Sequence, residues 1–479
     1  MTRPAAYALA DLAAGGRQPD APFLLQCRLR FANSPQTPAV EAELCCEEVL
    51  RYLPGRRLVV RASYQGADYA VKLFFGEHAR RYYRREMRGW LALQNSRVPV
   101  PDLVAELMLP SDLPQPGFGV VTQWLSDAQP VDETDVPAVM QLVHGLGRLH
   151  AHAALRTDPH LRNYLRRADG TVYAIDGDGV RPCRRVGELR ALNNLALMLA
   201  ELPPAADASL SEACEVYSQA RWRQPASARL VSGVRKRLAR QRKLRTRRYL
   251  RKSLRECSEF HCERSGGRRV FCARDAWNHE MQTFVAEPEA QFNQGRVLKA
   301  GNSATVVRMR IDGRQVVVKR YNIKGWWHGL RRALRWTPRY RLAWLNGHRL
   351  EFLRLLTARP LALLEITKAP LNTVAYLVME DGGEHSLEAV IGQDALSPQL
   401  VEQVVAVFRG LNQTGLVHGD TKASNFLVAA DGLRLIDLDG MRPGRDLRKD
   451  VRRFLANWEQ APEVRSRFAD ALQAAGMPL

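Results

Sequence analysis

The chain has 479 residues, 46% hydrophobic and 25% charged, a balance that excludes a disordered, collagen-like or small disulfide-stapled protein and leaves room for two or three domains. Lys and Arg number 71 against 50 Asp and Glu, a formal charge of +21. An excess of this size calls for an anionic partner: nucleic acid, an acidic membrane surface or a phosphorylated substrate.

Arg dominates the basic residues, 61 to 10 Lys, as a GC-rich genome would produce. Against that background a Lys is informative, and Lys72 is the only one in the first 235 residues. The first 16 residues, MTRPAAYALADLAAGG, have no long apolar core and are interrupted by Asp11, so no signal peptide is expected. No run reaches 18 apolar residues, so no spanning helix is expected either. Eight Cys suit a reducing cytosol.

Further along, Leu58–Ala62 and Tyr69–Phe75 read as strands joined by a turn at Gly66, the second strand carrying Lys72. A helical stretch, RYYRREMRGWLAL, carries Glu86. RTDPHLRNYL follows at 156–165, with Asp158 and Asn163. A hairpin about Asp169-Gly170 then leads into TVYAIDGDG, which delivers Asp176. Residues 235–255 hold 12 basic and no acidic residues. Beyond them Cys257, His261, Cys262 and Cys272 cluster without a CxxC pair, which predicts buried or strand cysteines rather than zinc ligands.

The same order then returns. Val306–Ile311 and Val316–Arg320 flank Asp312-Gly313, a strong hairpin signal, and QVVVKRYN carries Lys319. GHRLEFLRLL carries Glu351, VHGDTKASNFL carries Asp420 and Asn425, and LRLIDLDG carries Asp437. The offsets between corresponding residues are 319 − 72 = 247, 351 − 86 = 265, 420 − 158 = 262 and 437 − 176 = 261. We read two copies of one α+β domain, each with a small antiparallel β-lobe followed by a larger helical lobe. The first spans residues 1–230 and the second 257–479, joined by a basic linker at 231–256, with an insertion after Lys319.

The second copy holds the parts that phosphoryl transfer from ATP requires. Lys319 at a strand end can bind phosphates, with Glu351 on a helix as its expected partner and anchor. Asp420 can accept the proton of an acceptor hydroxyl. Asn425 and Asp437 supply the hard oxygens that Mg²⁺ takes. Lys422, two residues past Asp420, is placed to touch the transferring phosphate. Neither copy has GxGxxG; the second offers Gly301 within Lys299–Ala304, and the first only Pro54-Gly55-Arg56-Arg57. Lys, Glu, HGDxxxxN and IDLDG in this order predict a protein-kinase-like domain.

The stretches VVVKRYN, HRLEF, VHGDTKASNFLV, LRLIDLDGMR and RKDVRRFLANW resemble the lipopolysaccharide core kinase family, which includes inner-core heptose kinases and Kdo kinases. The resemblance covers about residues 290–460, and a weaker one covers about 45–200. It implies a protein-kinase-like fold, Mg-ATP as donor, a sugar hydroxyl of the lipopolysaccharide core as acceptor, and work at the cytoplasmic face of the inner membrane.

The first copy departs from this pattern. Arg156-Thr157-Asp158 stands where the second has His418-Gly419-Asp420, Pro159 follows, and His160 replaces Lys422. Lys72, Glu86, Asp158, Asn163 and Asp176 are all present, so a second ATP site is expected there, with a decayed structural duplicate as the alternative. Asp178 and Asp439, each two residues past the expected metal ligand, read equally as turn residues or second metal ligands.

The basic run 235–255 and the insertion 321–349, with Trp326, Trp327, Trp336 and Trp344 among many Arg, are expected to dock an anionic, lipid-linked substrate or an anionic membrane. The alternatives are a solvated helix for the run and packed tryptophans for the insertion. HGDxxxxN also occurs in atypical protein kinases, so an atypical Ser/Thr protein kinase or a kinase–pseudokinase scaffold is the alternative function. Nucleic acid is disfavoured because no RNA-binding motif accompanies the basic residues.

Overall fold

Strands fill the N-terminal part of each half of the chain and helices the remainder. The computed structural model describes residues 5–7, 18–34, 36–110, 116–301, 303–321, 337–369, 372–393 and 396–479. They fall into two units, residues 1–202 with 206–241, and residues 203–205 with 242–479.

In the first unit β1 (Ala5–Tyr7), β2 (Phe23–Phe31), β3 (Val40–Leu53), β4 (Arg57–Tyr64) and β5 (Ala67–Phe74) precede α1 (Ala79–Asn95), and β6 (Leu103–Leu109) and β7 (Gly117–Gln123) follow it. The order is β1-β2-β3-β4-β5-β7-β6, and β6 pairs back onto β2, closing β2–β7 into a barrel. Period-two alternation explains why these segments are strands: Leu58, Val60 and Ala62 point inward from β4, beside Val71 and Leu73 of β5. Gln65 and Gly66 take positive φ (50° and 79°), the two left-handed residues a tight hairpin needs.

The remainder of this unit is mostly helical. After β8 (Gln129–Pro130) comes α2 (Val136–Ala151), capped by the Asp135 side chain, which accepts from Ala138 N. Then follow β9 (Ala154–Arg156), β10 (Tyr164–Arg166), β11 (Val172–Ala174), β12 (Val180–Pro182), α3 (Glu188–Leu199), α4 (Leu210–Trp222) and the first part of α5 (Ala228–Lys252), whose residues from 242 on are counted with the second unit. Leu142, Leu146, Leu195, Tyr217 and Val234 are in its core.

The second unit opens with β13 (Phe260–Ser265), β14 (Arg268–Ala273), α6 (His279–Ala286) and α7 (Pro288–Asn293). Then come β15 (Arg296–Ala300), β16 (Ala304–Ile311), β17 (Arg314–Tyr321), α8 (Arg339–Phe352), β18 (Pro360–Ala369) and β19 (Asn372–Glu380). Its antiparallel sheet has the order β13-β14-β18-β19-β17-β16-β15. Asp312 and Gly313, both at positive φ (53° and 71°), turn β16 into β17. The helical part comprises β20 (His385–Ser386), α9 (Leu387–Gln393), α10 (Pro398–Thr414), β21 (Leu416–Val417), β22 (Phe426–Ala429), β23 (Gly432–Leu435), β24 (Arg442–Pro443), α11 (Arg448–Leu455) and α12 (Pro462–Ala474). Phe408, Phe426, Phe454 and Phe468 form its aromatic centre.

The basic run is helical. Along α5, Leu230, Val234, Leu238, Arg242, Thr246 and Leu250 are buried at every fourth position, while Arg235, Lys236, Arg240, Lys243, Arg247, Arg248 and Arg251 are exposed. Among the described residues no helix is long and apolar enough to cross a membrane. Trp326, Trp327 and Trp336 lie outside the described residues. Trp344 follows the packed alternative: it is fully buried on α8, and its indole N–H donates to Ser253 O at 3.1 Å.

Candidate active site

In the second unit β17 delivers Lys319 from the sheet, and the turn after β23 delivers Asp437. The Lys319 ammonium lies 2.6 Å from Asp437 Oδ1 and 3.7 Å from Asp439 Oδ2. Burial works against the charge of Lys319, but Tyr321 and the two carboxylates together outweigh it and its pKa is raised. Burial likewise opposes ionisation of Asp437, yet Lys319, Arg339 and His418 hold its carboxyl below the usual range. Asp437 has φ +58° and ψ +53°, a left-handed backbone that bends the chain straight after the strand. Asp439, raised by burial and by Asp437, also takes Arg339 at 2.7 Å.

The loop before β22 holds the remaining residues. The Asn425 side-chain N–H donates to the Asp420 carbonyl at 2.8 Å, which leaves the Asn425 amide oxygen as an acceptor. The Asp420 carboxylate is open to solvent, with Lys422 Nζ at 3.3 Å and Arg453 Nε at 3.6 Å. His418 is buried and its Nε2 bonds the Ile436 carbonyl at 3.0 Å. Asp450 fixes this loop from beneath: its carboxylate accepts from the backbone N–H of His418 (2.6 Å) and of Gly419 (2.9 Å). Sequence reasoning did not assign Asp450 a role; RKDVRRF was its only signal. Gly301 lies between β15 and β16, where an added Cβ would come within 2.8 Å of Ala304 O.

Glu351 is the correction. It does not reach Lys319 but bonds His348 Nδ1 (2.9 Å) and Arg359 Nε (3.0 Å), facing a different cavity lined by Tyr249, Phe260 and Asp275. The cause is helical register. Helices α1 and α8 end alike: Arg97 and Arg354 take positive φ (51° and 56°), and the next residues, Val98 and Leu355, donate back to Leu93 O and Leu350 O. Residue 97 maps onto 354 and residue 86 onto 343, a constant offset of 257. The counterpart of Glu86 is therefore Ala343, and Glu351 lies eight residues beyond it, about 12 Å along the helix axis.

In the first unit the expected pair does form. Lys72 Nζ, on β5, is 2.8 Å from Glu86 Oε1 and 2.8 Å from Asp176 Oδ1. Burial opposes the ammonium charge, but Glu86 and Asp176 raise the Lys72 pKa. Glu86 is buried and also accepts from Gly177 N and Asp178 N, each at 3.0 Å. Gly89 and Gly177 bring α1 and this turn into backbone contact: a Cβ on Gly89 would meet Gly177 O at 1.8 Å, and one on Gly177 would meet Glu86 O at 2.4 Å. Asn163 donates to Asp158 O at 3.1 Å, as Asn425 does to Asp420. Asp178 is not a free turn residue; Arg85 binds it through two nitrogens.

The sequence model of the lipopolysaccharide kinase (Kdo/WaaP) family matches residues 289–466. No curated protein gives a significant match to the chain. Among solved structures, one described as WaaP in complex with acyl carrier protein aligns at 17% identity over 41% of this chain and 88% of that chain, with a TM-score of 0.31. Residues 289–466 thus carry a lipopolysaccharide kinase (Kdo/WaaP) family domain, and the chain is a phosphotransferase acting on an alcohol group.

Proposed function

We propose that residues 257–479 transfer the γ-phosphoryl group of ATP to a sugar hydroxyl, heptose or Kdo, of the lipopolysaccharide inner core, and that residues 1–230 form a second kinase-like domain that holds nucleotide. The observation that carries the first part is the arrangement of Lys319 on Asp437, with Asn425 clasping the loop of Asp420.

The donor set fits Mg-ATP. Lys319 would hold phosphates, and the Asn425 amide oxygen and the Asp437 carboxylate are hard ligands of the kind Mg²⁺ combines with phosphate oxygens. When bound, Mg²⁺ would neutralise phosphate charge. The open carboxylate of Asp420 would take the proton of the acceptor hydroxyl as the new oxygen–phosphorus bond forms and the bond to the leaving ADP oxygen breaks. Lys422, 3.3 Å from Asp420, would face the transferring group and stabilise its charge.

The exposed cations of α5 support work at an anionic surface, the cytoplasmic face of the inner membrane. Each basic residue near such a leaflet contributes about 1 kcal/mol, and residues 235–255 contain no acid to offset them. The test is mass analysis of lipopolysaccharide from cells that lack the gene and are complemented with wild-type or Asp420→Ala protein. Wild type should restore one core phosphate that Asp420→Ala does not. An identical core in both refutes the acceptor assignment.

A further inference from the structure

In the second unit one carboxylate oxygen gathers two cations. Asp439 Oδ2 accepts from Arg339 Nε at 3.0 Å and from Nη2 at 2.7 Å, and the Lys319 ammonium lies 3.7 Å from the same atom. Arg339 Nη2 and Lys319 Nζ are therefore no more than about 6.4 Å apart, the sum of 2.7 and 3.7 Å. The Asp439 side chain is only 7% exposed, whereas that of Arg339 is 41% exposed, so a ligand can reach the guanidinium while its anchor stays covered.

The anchoring uses only part of the fork. Nε and Nη2 both go to Asp439 Oδ2, and Nη1 has no partner among the described residues. A guanidinium is planar with donors on more than one edge, so the edge held by Asp439 leaves the Nη1–Nη2 edge to meet a second anion. Position contributes as well. Arg339 is the first residue of α8, and Ala343, about one turn further along, stands where Glu86 stands in the first unit. This helix therefore offers Lys319 a cation at 339 and no carboxylate at 343. A triphosphate carries more negative charge than one ammonium neutralises, and its neighbouring phosphates present oxygens a few ångströms apart, a spacing that two cations held on one carboxylate can serve.

We propose that Arg339 is a second phosphate ligand of the phosphotransferase cleft, anchored with Lys319 on Asp439 and binding the polyphosphate of the nucleotide beside it. This rests on reading Lys319 as a phosphate ligand.

The test is steady-state transfer to lipopolysaccharide by the full chain carrying Arg339→Gln, which removes the charge but keeps an amide that can donate to Asp439. Loss of a charge-assisted bond to phosphate should raise the KM for ATP and the inhibition constant of ADP about tenfold, and leave that of adenosine, which has no phosphate, within about twofold. An arginine that only clasps Asp439 to α8 would shift all three together or none of them, and either result overturns the proposal. In an Asp439→Ala background the same exchange should still raise the KM for ATP at least about threefold, because the contact it removes is to the nucleotide; no further rise there also overturns it. Lys319→Ala separates the two ways of failing. If it lowers kcat/KM for ATP while Arg339→Gln does not, the second ligand is refuted and Lys319 stands. If neither exchange changes kcat/KM, the reading of Lys319 fails as well.

Discussion

Removing the Asp439 carboxylate should lower kcat/KM for ATP about tenfold in the second unit, mainly by raising KM. Asp439 Oδ2 lies 3.7 Å from Lys319 Nζ, and at an effective dielectric of about 20 this pair is worth about 4.5 kcal/mol before competition. Arg339, at 2.7 Å, already neutralises much of that carboxylate, and Asp437 stays on the lysine. Taking roughly a third leaves about 1.5 kcal/mol, or about tenfold. The loss belongs in KM because Lys319 would meet phosphate in the ground state as well as in the transition state. Ala343→Glu supplies the control. It places a carboxylate at the helix position from which Glu86 reaches Lys72 at 2.8 Å, and it should recover most of the loss in an Asp439→Ala background. Initial rates of ADP release at varied ATP, with lipopolysaccharide as acceptor, would be compared across wild type, both single variants and the double variant. An unchanged KM in Asp439→Ala, or an Ala343→Glu effect that is the same in both backgrounds, would refute Asp439 as the anchor of Lys319.

Asp420→Ala should abolish transfer while ATP affinity stays within about threefold, because the open Asp420 carboxylate touches Lys422 and Arg453 but not Lys319; equilibrium ATP binding beside a transfer assay checks this. His150 is buried between Tyr217 and Asn194, and burial pushes its pKa down from 6.5 to about 4. The unfolded chain therefore takes up this proton first, and the first unit should lose on the order of 3 kcal/mol as pH falls from about 6.5 to about 4. His150→Gln should flatten that slope in denaturant titrations, and an unchanged slope would exclude His150 as its source. Trp344→Ala should cost the second unit about 3–5 kcal/mol, read as a lower unfolding midpoint. Exchanging Arg235, Lys236, Arg240 and Lys243 for Gln should reduce sedimentation with anionic vesicles, and sedimentation that persists in full would remove α5 as the docking face.

Much of each site is legible in the sequence because local order encodes it. Alternating apolar residues place Lys72 and Lys319 on strands, and the five-residue spacing of Asp420 and Asn425 lets the amide close on the carbonyl. Glu351 misled because a glutamate in an amphipathic helix has no mark of register. Only the helix end, with its positive-φ Arg354, shows that Ala343 stands where Glu86 does. The assigned offset of 265 was itself a warning, being larger than the 262 and 261 that follow it, whereas 257 falls between 247 and those values. Asp450 escaped notice for another reason. It acts through contacts 31 or more residues away, with backbone partners that no short motif records. Composition leaves Trp344 either interfacial or packed; its neighbours Phe260 and His348 make it part of the core.

The glycine contact in the first unit has a mechanical consequence. Gly89 and Gly177 meet backbone to backbone, with no side chain between them to yield. Glu86 ties the same turn to the same helix through two amide hydrogens. A motion that opens the turn must therefore carry the middle of α1 with it as one body. In hydrogen exchange the amides of Gly177 and Asp178 should share the protection of Glu86–Trp90, rather than exchange freely like those of an ordinary surface turn.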